Sequence, residues 1–574
     1  MGKVNEQRIG DIVGADNVSI THETCMIYSK DVTSLPDIAY QIVSPKFDVV
    51  TQPVDVSSLQ NLVWYAIDNN IPIVPRGNGT SGWGGSIPTR GGICIGLSGM
   101  SGVLYFNEFE QAVTVESGIT WRDLLAFLER LGYTLPVYPS SATAATVGGF
   151  VASGGLGIGS TRHGDILKQV LGIEAVLPNG KVVRLGKVLL DPKTDDIKEK
   201  AMKGNRWLEM ELEAVGLGTP EQEIKLLTGT YGTLGIITKV SLKTIPNLQL
   251  VPFASSFDSM RDLVNAAARM INDTQPYFLR FLADNYTSKL RAIAGNKLEQ
   301  GKYVLMGALL DTIYSNEDNI TTIQSITKEE NGIRLDDKRA WFYWNERLYP
   351  LRIKRYGPSL VPAEMLAPLD KLPEILEETK VELRNSNVAI EGTMNNDNSS
   401  SFMVWILDDE RKSFSFTIGW QRSFRIAALA QRFGGLPYAV GLWNGRHARE
   451  YYGNKAFNNL KIMKKRLDPR NLMNPVKVFG GRVTAGRASK SLGFMAGFVI
   501  AFLVGLIGPG LIGWTWLAQI MSSNLIQFLP VPILIWVSLL GGLLGFSIVY
   551  FMTINQALSI GIPVLRFLSK LMRR

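Results

Sequence analysis

The first half of the chain changes repeatedly between two spacings of apolar residues. From residue 57 to residue 67, apolar side chains recur every three to four positions, which predicts a helix. Ser57 and Gln60 have the spacing of a capping box at the start of this helix. Residues 112–117 alternate apolar and polar side chains, which predicts a strand. Because such elements mix without a regular βαβ repeat, we expect an α+β fold.

Three local signals add to this pattern. A helix is expected to begin at Thr120 and to end at Gly132. The dipeptide Asn179-Gly180, which lies between two apolar runs, predicts a β-hairpin. Cys94 occupies the centre of the apolar run 93–95 and is interpreted as a buried strand residue.

The C-terminal part has a different pattern, because residues 491–563 contain no Asp, Glu, Lys or Arg. Residues 491–514 and 530–552 are both apolar and long enough to cross a bilayer, which takes about 20 residues. They predict two transmembrane helices; the alternative is a buried soluble hairpin. Basic residues precede the first stretch and follow the second, so we expect both ends on the cytoplasmic side of the cell membrane. The preceding domains would then lie on that side too.

Composition excludes several classes of protein. The chain has 574 residues and a net charge of +9, but its basic residues are scattered among acidic ones, which disfavours nucleic-acid binding. Cys25 and Cys94 form no CxxC motif, so iron–sulfur, zinc-ribbon and disulfide-stapled folds are not expected. His22, His163 and His447 lie far apart in sequence, and no metal site is predicted.

Residues 75–85, which we call the phosphate loop, read Pro-Arg-Gly-Asn-Gly-Thr-Ser-Gly-Trp-Gly-Gly after a short apolar strand. Closely spaced glycines let successive backbone N–H groups converge on an anion, usually a phosphate. Gly77, Gly79 and Gly82 also match the Gly-x-Gly-x-x-Gly pattern of Rossmann folds. However, the continuing Gly/Pro-rich sequence cannot begin a helix, and no acidic residue follows at the required spacing. We therefore predict a phosphate site outside a Rossmann fold.

In a second glycine-rich run, residues 147–159, many positions have no side chain beyond the backbone. A bare backbone permits the close approach of a flat ring. The alternative interpretation is a flexible loop.

Five sequence blocks in matching order resemble the vanillyl-alcohol-oxidase, or PCMH-type, FAD flavoproteins, and within them the glycolate oxidase/D-lactate dehydrogenase branch. The blocks are residues 28–31, 75–81, 138–140 with 146–149, 229–238, and 467–469 with 474–477. The resemblance covers about residues 11–478. It implies a two-subdomain PCMH-type FAD-binding domain followed by an α+β substrate cap.

The resulting domain prediction has seven parts. They are an N-terminal segment packing on the FAD domain (1–43), the FAD-binding domain (44–247), the substrate cap (248–440), a segment returning to the FAD (441–480), two transmembrane helices (491–514 and 530–552) and a basic cytoplasmic tail (553–574).

The resemblance also implies which residues bind FAD. They are Pro75, Arg76, Gly77, Asn78, Gly79, Thr80, Ser81, Pro139, Ser140, Thr146, Gly148, Gly149, Ser153, His163, Gly235, Ile236, Ile237 and Asn474. Some family members attach FAD covalently through a histidine in the first loop. Because positions 78 and 79 are Asn and Gly here, we expect noncovalent FAD.

The hydroxy-acid branch typically carries a histidine-rich motif that holds a divalent metal, and this chain lacks it. In its absence His447, Arg446 and Tyr451, just before the last block, are the candidates expected to face the flavin. His447 would take the proton of a hydroxyl, with a structural hydrogen bond as the alternative. Arg352 or Arg355 would clamp a carboxylate or a phosphate, with a surface or structural ion pair as the alternative.

Three functions are compatible with these features. The preferred one is a membrane-anchored FAD-dependent dehydrogenase that oxidises a small 2-hydroxy acid, such as lactate or glycolate, and reduces a quinone or another membrane acceptor. The second is a reductase of a lipid or isoprenoid double bond, because residues 132–136 and 146–149 also resemble the sterol C24-reductase. The third is a noncatalytic flavoprotein subunit of a membrane complex.

Overall fold

The computed structural model of the protein describes residues 4–35, 46–190, 219–294, 301–310 and 316–480. They belong to one of two units of the chain; the other unit, residues 37–43 and 482–574, lies outside the described residues. Both predicted membrane spans and the basic tail therefore fall outside them as well. Within the described ranges, no helix combines the length and the apolar character that crossing a bilayer requires.

Two sheets form the N-terminal half. Their strands, together with a short two-stranded ribbon, are β1 (Val18–Ser19), β2 (Val49–Thr51), β3 (Ile73–Arg76), β4 (Ile93–Gly96), β5 (Val103–Asn107), β6 (Ala112–Glu116), β7 (Tyr133–Thr134), β8 (Val170–Val176), β9 (Val182–Gly186), β10 (Ile236–Lys243) and β11 (Ile245–Pro246). The helices here are α1 (Glu6–Val13), α2 (His22–Tyr28), α3 (Val56–Asp68), α4 (Trp121–Glu129), α5 (Val147–Ser153), α6 (Ser160–His163) and α7 (Pro220–Ile224), with 3-10 turns at Ala15–Asn17 and Ile166–Gln169.

The first sheet has the order β1-β2-β4-β3, in which β2, β4 and β3 are parallel. Cys94 lies fully buried on β4, which confirms its interpretation as a buried strand residue. Helix α3 starts one residue before the predicted capping box. Its N-cap is Asp55, whose side chain accepts a hydrogen bond from the Ser58 N–H at 2.7 Å. The prediction of a capping box at Ser57 was wrong, because the Gln60 amide donates to the Gly180 carbonyl and not to the start of the helix.

The second sheet is antiparallel, with the order β5-β6-β10-β8-β9. Its β8–β9 hairpin turns at Asn179-Gly180 as predicted, and Gly180 has a φ of +79° that only glycine adopts readily. Helix α4 begins where expected, since the Thr120 side chain accepts a hydrogen bond from the Asp123 N–H. The two sheets form the wall against which the phosphate loop and α5 lie.

The C-terminal half is one antiparallel sheet with helices. Its strands are β12 (Leu250–Phe257), β13 (Phe278–Leu282), β14 (Tyr303–Leu310), β15 (Ile333–Arg334), β16 (Ser359–Pro368), β17 (Val388–Met394), β18 (Ser399–Asp408) and β19 (Leu436–Pro437). Its helices are α8 (Met260–Thr274), α9 (Asp284–Ala294), α10 (Asn316–Glu329), α11 (Asp337–Glu346), α12 (Leu372–Glu382), α13 (Ser413–Arg432), α14 (Ala448–Tyr452) and α15 (Asn454–Leu467), with 3-10 turns at Pro350–Tyr356, Leu369–Lys371 and Gly445–His447.

The sheet order is β15-β12-β14-β13-β17-β18-β16-β19. We call this eight-stranded layer the cap sheet. After α15 the chain returns to the first sheet, where Met473 pairs with Ile73 and the Asn474 N–H donates to the Ile73 carbonyl at 2.7 Å. The end of the described chain is therefore fastened beside the strand that leads into the phosphate loop.

Candidate active site

A single cavity joins the phosphate loop to the cap sheet. The volume of this cavity is about 290 Å³. One wall consists of the phosphate loop, the start of α5 and the segment 231–237; the opposite wall is the cap sheet. Apolar clefts of this kind with a few convergent polar groups are the usual sites of ligands.

The phosphate loop presents unused hydrogen-bond donors. Strand β3 ends at Arg76, and the backbone N–H groups of residues 77–83 have no acceptor within the described part of the chain. A row of unpaired backbone N–H groups that face one concavity forms an anion site. Gly77 is required here because a Cβ would lie 2.3 Å from the Thr146 Oγ1. The loop therefore has the chemistry to hold a pyrophosphate.

Arg76 supports the loop from beneath. The residue is 8% exposed, its guanidinium donates to the Ser86 hydroxyl at 3.0 Å, and its Cζ lies 5.4 Å from the centre of the Tyr28 ring. A Cβ on Gly79 would meet the Arg76 Nη2 at 2.2 Å, which shows how closely the loop folds over this side chain. Arg76 thus places a positive charge under the row of N–H groups.

The N-terminal segment braces the same loop. The Val32 N–H donates to the Gly79 carbonyl at 3.1 Å, and the Thr33 hydroxyl donates to the Gly82 carbonyl. Asp31 accepts hydrogen bonds from the Gly84 and Thr33 N–H groups at 2.8 and 2.9 Å. Burial raises the pKa of Asp31 to about 6, although these bonds oppose the rise. These contacts fix the loop's shape before any ligand binds.

The second glycine-rich run begins as helix α5. The Thr146 side chain caps this helix by accepting from the Gly149 N–H at 3.2 Å. A Cβ on Gly148 would lie 2.4 Å from the Ser117 Cβ, so the helix packs closely on the second sheet. The interpretation as a flexible loop was therefore wrong for residues 147–153, which form a capped helix beside the cavity.

Tyr231 forms part of the floor of the cavity. It has a φ of +55°, and a Cβ on Gly85 would lie 2.6 Å from its ring. Its hydroxyl is buried without a hydrogen-bond partner among the described residues, and burial raises its pKa well above the ordinary value. A ligand oxygen or nitrogen in the cavity would satisfy this hydroxyl.

Alternate positions of four adjacent strands of the cap sheet face the cavity. Successive residues of a strand point to opposite faces, and residues paired across strands share a face. In the register of the sheet, Glu391 pairs with Met403, and Met403 pairs with Glu364. Thr393, two positions after Glu391 on the same strand, pairs with Arg280. All five residues line the cavity. The cap sheet therefore offers charged groups to a substrate.

Glu364 is one of these groups. It hydrogen-bonds the side chain of Trp83, and burial raises its pKa to about 8 even though that bond opposes the rise. Tyr438, beside it in the cavity, uses its hydroxyl on the backbone of Leu156, accepting at 2.8 Å and donating at 3.0 Å. Glu364 is thus a carboxyl that changes charge near neutral pH.

Most of the predicted FAD residues come together around this cavity. Those that line it are Pro75, Arg76, Gly77, Asn78, Gly79, Thr80, Ser81, Pro139, Ser140, Thr146, Gly148, Gly149, Ser153, Gly235, Ile236 and Ile237. Asn474 does not line it. Its side-chain amide instead donates to the Gly85 and Tyr231 carbonyls at 2.8 and 2.6 Å, which ties the two cavity segments together.

His163 also lies outside the cavity lining. Its ring packs edge-on against Tyr277, with 5.9 Å between the ring centres. Burial and the nearby Arg162 lower its pKa to about 4, so the imidazole is neutral at physiological pH. Its position is that of a packed neutral side chain.

The structure does not bring the predicted catalytic group to the cavity. His447 Nε2 accepts a hydrogen bond from the Arg446 Nε at 2.7 Å, and Nδ1 lies 2.8 Å from the Gln431 Nε2 on α13. Both ring nitrogens are thus engaged outside the cavity lining. Tyr451 packs edge-on against Tyr452, again outside the lining. The catalytic role of His447 stays a prediction, and its ring forms the hydrogen bonds to Arg446 and Gln431 described above.

Arg352 is likewise held away from the cavity. It forms a half-buried ion pair with Glu346 at 2.5 Å and lies over the Tyr349 ring. Among the described residues, no group of three or more His, Cys, Asp and Glu side chains lies close enough to hold a metal ion. The cationic group that the cavity does contain on its cap side is Arg280.

Sequence reasoning missed Arg280, Glu364 and Glu391. A usable signal was present for two of them, since Arg280 interrupts the apolar run 277–283 and Glu391 directly follows the apolar residues 388–390. Charged residues are almost never fully buried unless they are paired or functional.

Three comparisons agree with this architecture. Residues 47–186 match the FAD binding domain family, and residues 251–478 match the C-terminal domain of FAD linked oxidases. The chain is 28% identical over 453 residues to "Probable D-lactate dehydrogenase, mitochondrial" of Danio rerio, covering 75% of this chain and 84% of that protein. It is 23% identical over 491 residues to the glycolate oxidase subunit GlcD of Bacillus subtilis (strain 168), covering 83% and 96%.

The fold is shared with p-cresol methylhydroxylase, whose structure with bound substrate superposes with a TM-score of 0.66 at 17% identity, over 82% of this chain and 96% of that one. The unused donors of the phosphate loop and the bare backbone of α5 fit FAD, which the two family matches indicate as the cofactor. The chain therefore combines an FAD binding domain with the C-terminal domain of FAD linked oxidases, and it is an FAD-dependent oxidoreductase acting on CH–OH groups.

Proposed function

We propose that this protein is a membrane-anchored dehydrogenase that oxidises a small 2-hydroxy acid and passes the electrons to a quinone or another membrane acceptor. The observation that carries the proposal is the cavity, in which a donor-lined phosphate loop faces charged groups on the cap sheet. Relatives named as D-lactate dehydrogenase and as a glycolate oxidase subunit support a 2-hydroxy acid as the substrate.

The chain's own residues divide the work between the two walls. FAD, bound noncovalently, supplies the acceptor for the hydride of the substrate C–H bond. The N–H groups of residues 77–83 and the charge of Arg76 hold its pyrophosphate. The backbone of α5 leaves room beside the cavity, and the Tyr231 hydroxyl supplies an otherwise unused polar group.

Glu364 is the group that we assign as acceptor of the hydroxyl proton. A general base is most effective when its pKa lies near the operating pH, and burial brings this carboxyl to about 8. The hydrogen bond from Trp83 fixes its direction. As the substrate C–H bond breaks and its C=O bond forms, Glu364 takes the O–H proton, so that a 2-oxo acid leaves the site.

Membrane attachment rests on the sequence. Two uncharged apolar stretches, residues 491–514 and 530–552, are each long enough to span a bilayer. The basic residues that flank them favour both ends on the cytoplasmic side, and hence a cytoplasmic flavin domain. Such an anchor places the flavin beside lipophilic acceptors, for which a quinone is our choice.

The test is anaerobic visible absorbance of the detergent-extracted full chain, with D-lactate, L-lactate and glycolate added separately. We expect one of these acids to bleach the flavin absorbance and a soluble quinone to restore it. A yellow protein that none of the acids bleaches, but that NADPH bleaches, would overturn the proposal in favour of a reductase. Cell fractionation, with the protein expected in the membrane pellet until detergent is added, tests the anchor.

A further inference from the structure

A buried ion pair lies in the cap-sheet wall of the cavity. Arg280 on β13 and Glu391 on β17 are 7% and 5% exposed, and an Arg280 Nη2 contacts a Glu391 carboxylate oxygen. The other Glu391 oxygen accepts a hydrogen bond from the Trp405 Nε1 at 2.7 Å. All three residues line the cavity. Buried charges are costly unless they are paired. Arg280 and Glu391 therefore neutralise each other in the cavity wall when no substrate is present.

The charged groups around the cavity are few. Of the described residues that line it, Arg76 and Arg280 are cationic, and Glu364 and Glu391 are acidic. Arg76 lies under the phosphate loop, bonded to Ser86. Only Arg280 is therefore placed to meet the carboxylate of a substrate on the cap side.

We propose that Arg280 binds the substrate carboxylate by exchanging Glu391 for it, and that the acidic groups beside it restrict the substrate to 2-hydroxy monocarboxylic acids with uncharged side chains. This inference rests on the proposed function and names the substrate class within it. An arginine fork suits the two oxygens of a carboxylate.

The exchange takes the cation from Glu391 but leaves it one hydrogen bond. The bond from the Trp405 indole uses the oxygen that Arg280 does not contact, so it persists when the guanidinium turns to the substrate. A first carboxylate therefore gains Arg280 at the cost of one buried carboxylate, Glu391, that keeps only its hydrogen bond from Trp405.

A second carboxylate has no such partner. It would lie beside Glu391 and Glu364 with no further cation in the described lining, and a buried unpaired charge is strongly unfavourable. The rest of the cap-side wall includes Phe278, Leu360 and Met403, which suit an apolar side chain. The cavity thus favours monocarboxylic acids such as lactate over dicarboxylic acids such as malate or 2-hydroxyglutarate.

Binding can be measured without turnover. 2-Hydroxy-2-methylpropanoate and citramalate carry no hydrogen on the carbinol carbon, so neither can be oxidised. They differ only in that citramalate has a carboxymethyl group where the monocarboxylate has a methyl group. We expect titration calorimetry on the FAD-loaded, detergent-solubilised chain to give a Kd at least about 10-fold lower for the monocarboxylate. Equal affinities, or tighter citramalate binding, would overturn the inference.

Two variants locate the effect. Glu391→Gln removes the competing charge and keeps an acceptor for Trp405, so the citramalate Kd is expected to fall more than the monocarboxylate Kd. Arg280→Met alone leaves Glu391 unpaired and risks misfolding. The double variant Arg280→Met/Glu391→Gln avoids this, and its monocarboxylate Kd should exceed that of Glu391→Gln by about 10- to 100-fold, the effect of a lost charged hydrogen bond.

The matched control is Arg261→Met, which removes an exposed arginine paired with Glu374 and should leave both Kd values unchanged. If the double variant binds the monocarboxylate as tightly as Glu391→Gln does, Arg280 is not the carboxylate-binding residue. These failures are distinguishable from failure of the proposed function. Flavin bleached by malate or 2-hydroxyglutarate in preference to lactate overturns only this inference, whereas flavin bleached by no hydroxy acid overturns the function.

Discussion

The Asp31 Oδ2 accepts a hydrogen bond from the Gly84 N–H at 2.8 Å, which fastens the N-terminal segment to the end of the phosphate loop. The same carboxylate also accepts from the Thr33 N–H at 2.9 Å. The loop can thus be weakened without changing any residue that contacts the cofactor.

Asp31→Ala is expected to raise the Kd for FAD by about 10-fold or more, because two buried N–H groups lose their acceptor at about 1–3 kcal/mol each. Fluorescence titration of the apoprotein with FAD measures this. Asp55→Ala is the matched control, since Asp55 also accepts from a backbone N–H but caps α3. It should lower stability by about 1 kcal/mol and leave FAD affinity unchanged. Equal FAD affinity in the two variants would contradict the bracing role.

Glu364→Gln should slow anaerobic flavin reduction by about 100- to 10,000-fold, the usual contribution of a general base. In the unmodified protein the reduction rate should rise as pH increases through about 8, because the basic form of Glu364 appears above its pKa. The variant should lose this rise. Stopped-flow absorbance provides the measurement. A larger loss in His447→Gln than in Glu364→Gln would restore the sequence-based assignment of the base.

The same pKa makes stability depend on pH. Because burial raises the pKa of Glu364 from 4.5 to about 8, the folded protein retains a proton that the unfolded chain releases. The favourable contribution is complete below pH 4.5 and is lost as pH rises to about 8, with a slope of at most about 1.4 kcal/mol per pH unit. Thermal unfolding at pH 6 and pH 8 should show a smaller difference for Glu364→Gln. An unchanged difference would place the carboxyl in contact with solvent.

Glu174 forms a buried ion cluster in the second sheet, away from the cavity lining. Its fully buried carboxylate contacts Arg184 at 2.9 Å and Lys239 at 2.5 Å. Glu174→Ala should destabilise the fold by about 3–5 kcal/mol because it removes the buried carboxylate that both cations contact. Glu110→Ala, which removes the exposed pair with Lys187, should cost at most about 1 kcal/mol. Unfolding midpoints compare the two, and similar shifts would show that the cluster is solvated.

Local features of the fold were predictable because neighbouring residues decide them. The Asn179-Gly180 hairpin, the start of α4 at Thr120 and the burial of Cys94 all follow from short-range preferences, and each is present. The capping box at Ser57 failed because two hydrogen-bonding options competed nearby. Asp55 took the cap, while Gln60 reached a distant carbonyl at Gly180.

The candidate site also combines features that are decided locally with features that depend on distant residues. The glycine spacing of residues 75–85 specifies a run of N–H groups free to bind an anion, and this backbone property depends little on the rest of the chain. By contrast, the position of His447 depends on Gln431 of α13, which holds its ring outside the cavity. No spacing in the sequence indicates that contact.

The sequence by itself determined the cofactor loop and the uncharged C-terminal stretches, because glycine spacing and hydrophobic runs act locally. Only the tertiary structure decided which charged groups meet the substrate. Arg280, Glu364 and Glu391 lie on strands that are far apart in sequence, and the register of the cap sheet turns all three toward one cavity. A shift of one residue in that register would turn them away, because successive side chains of a strand point to opposite faces.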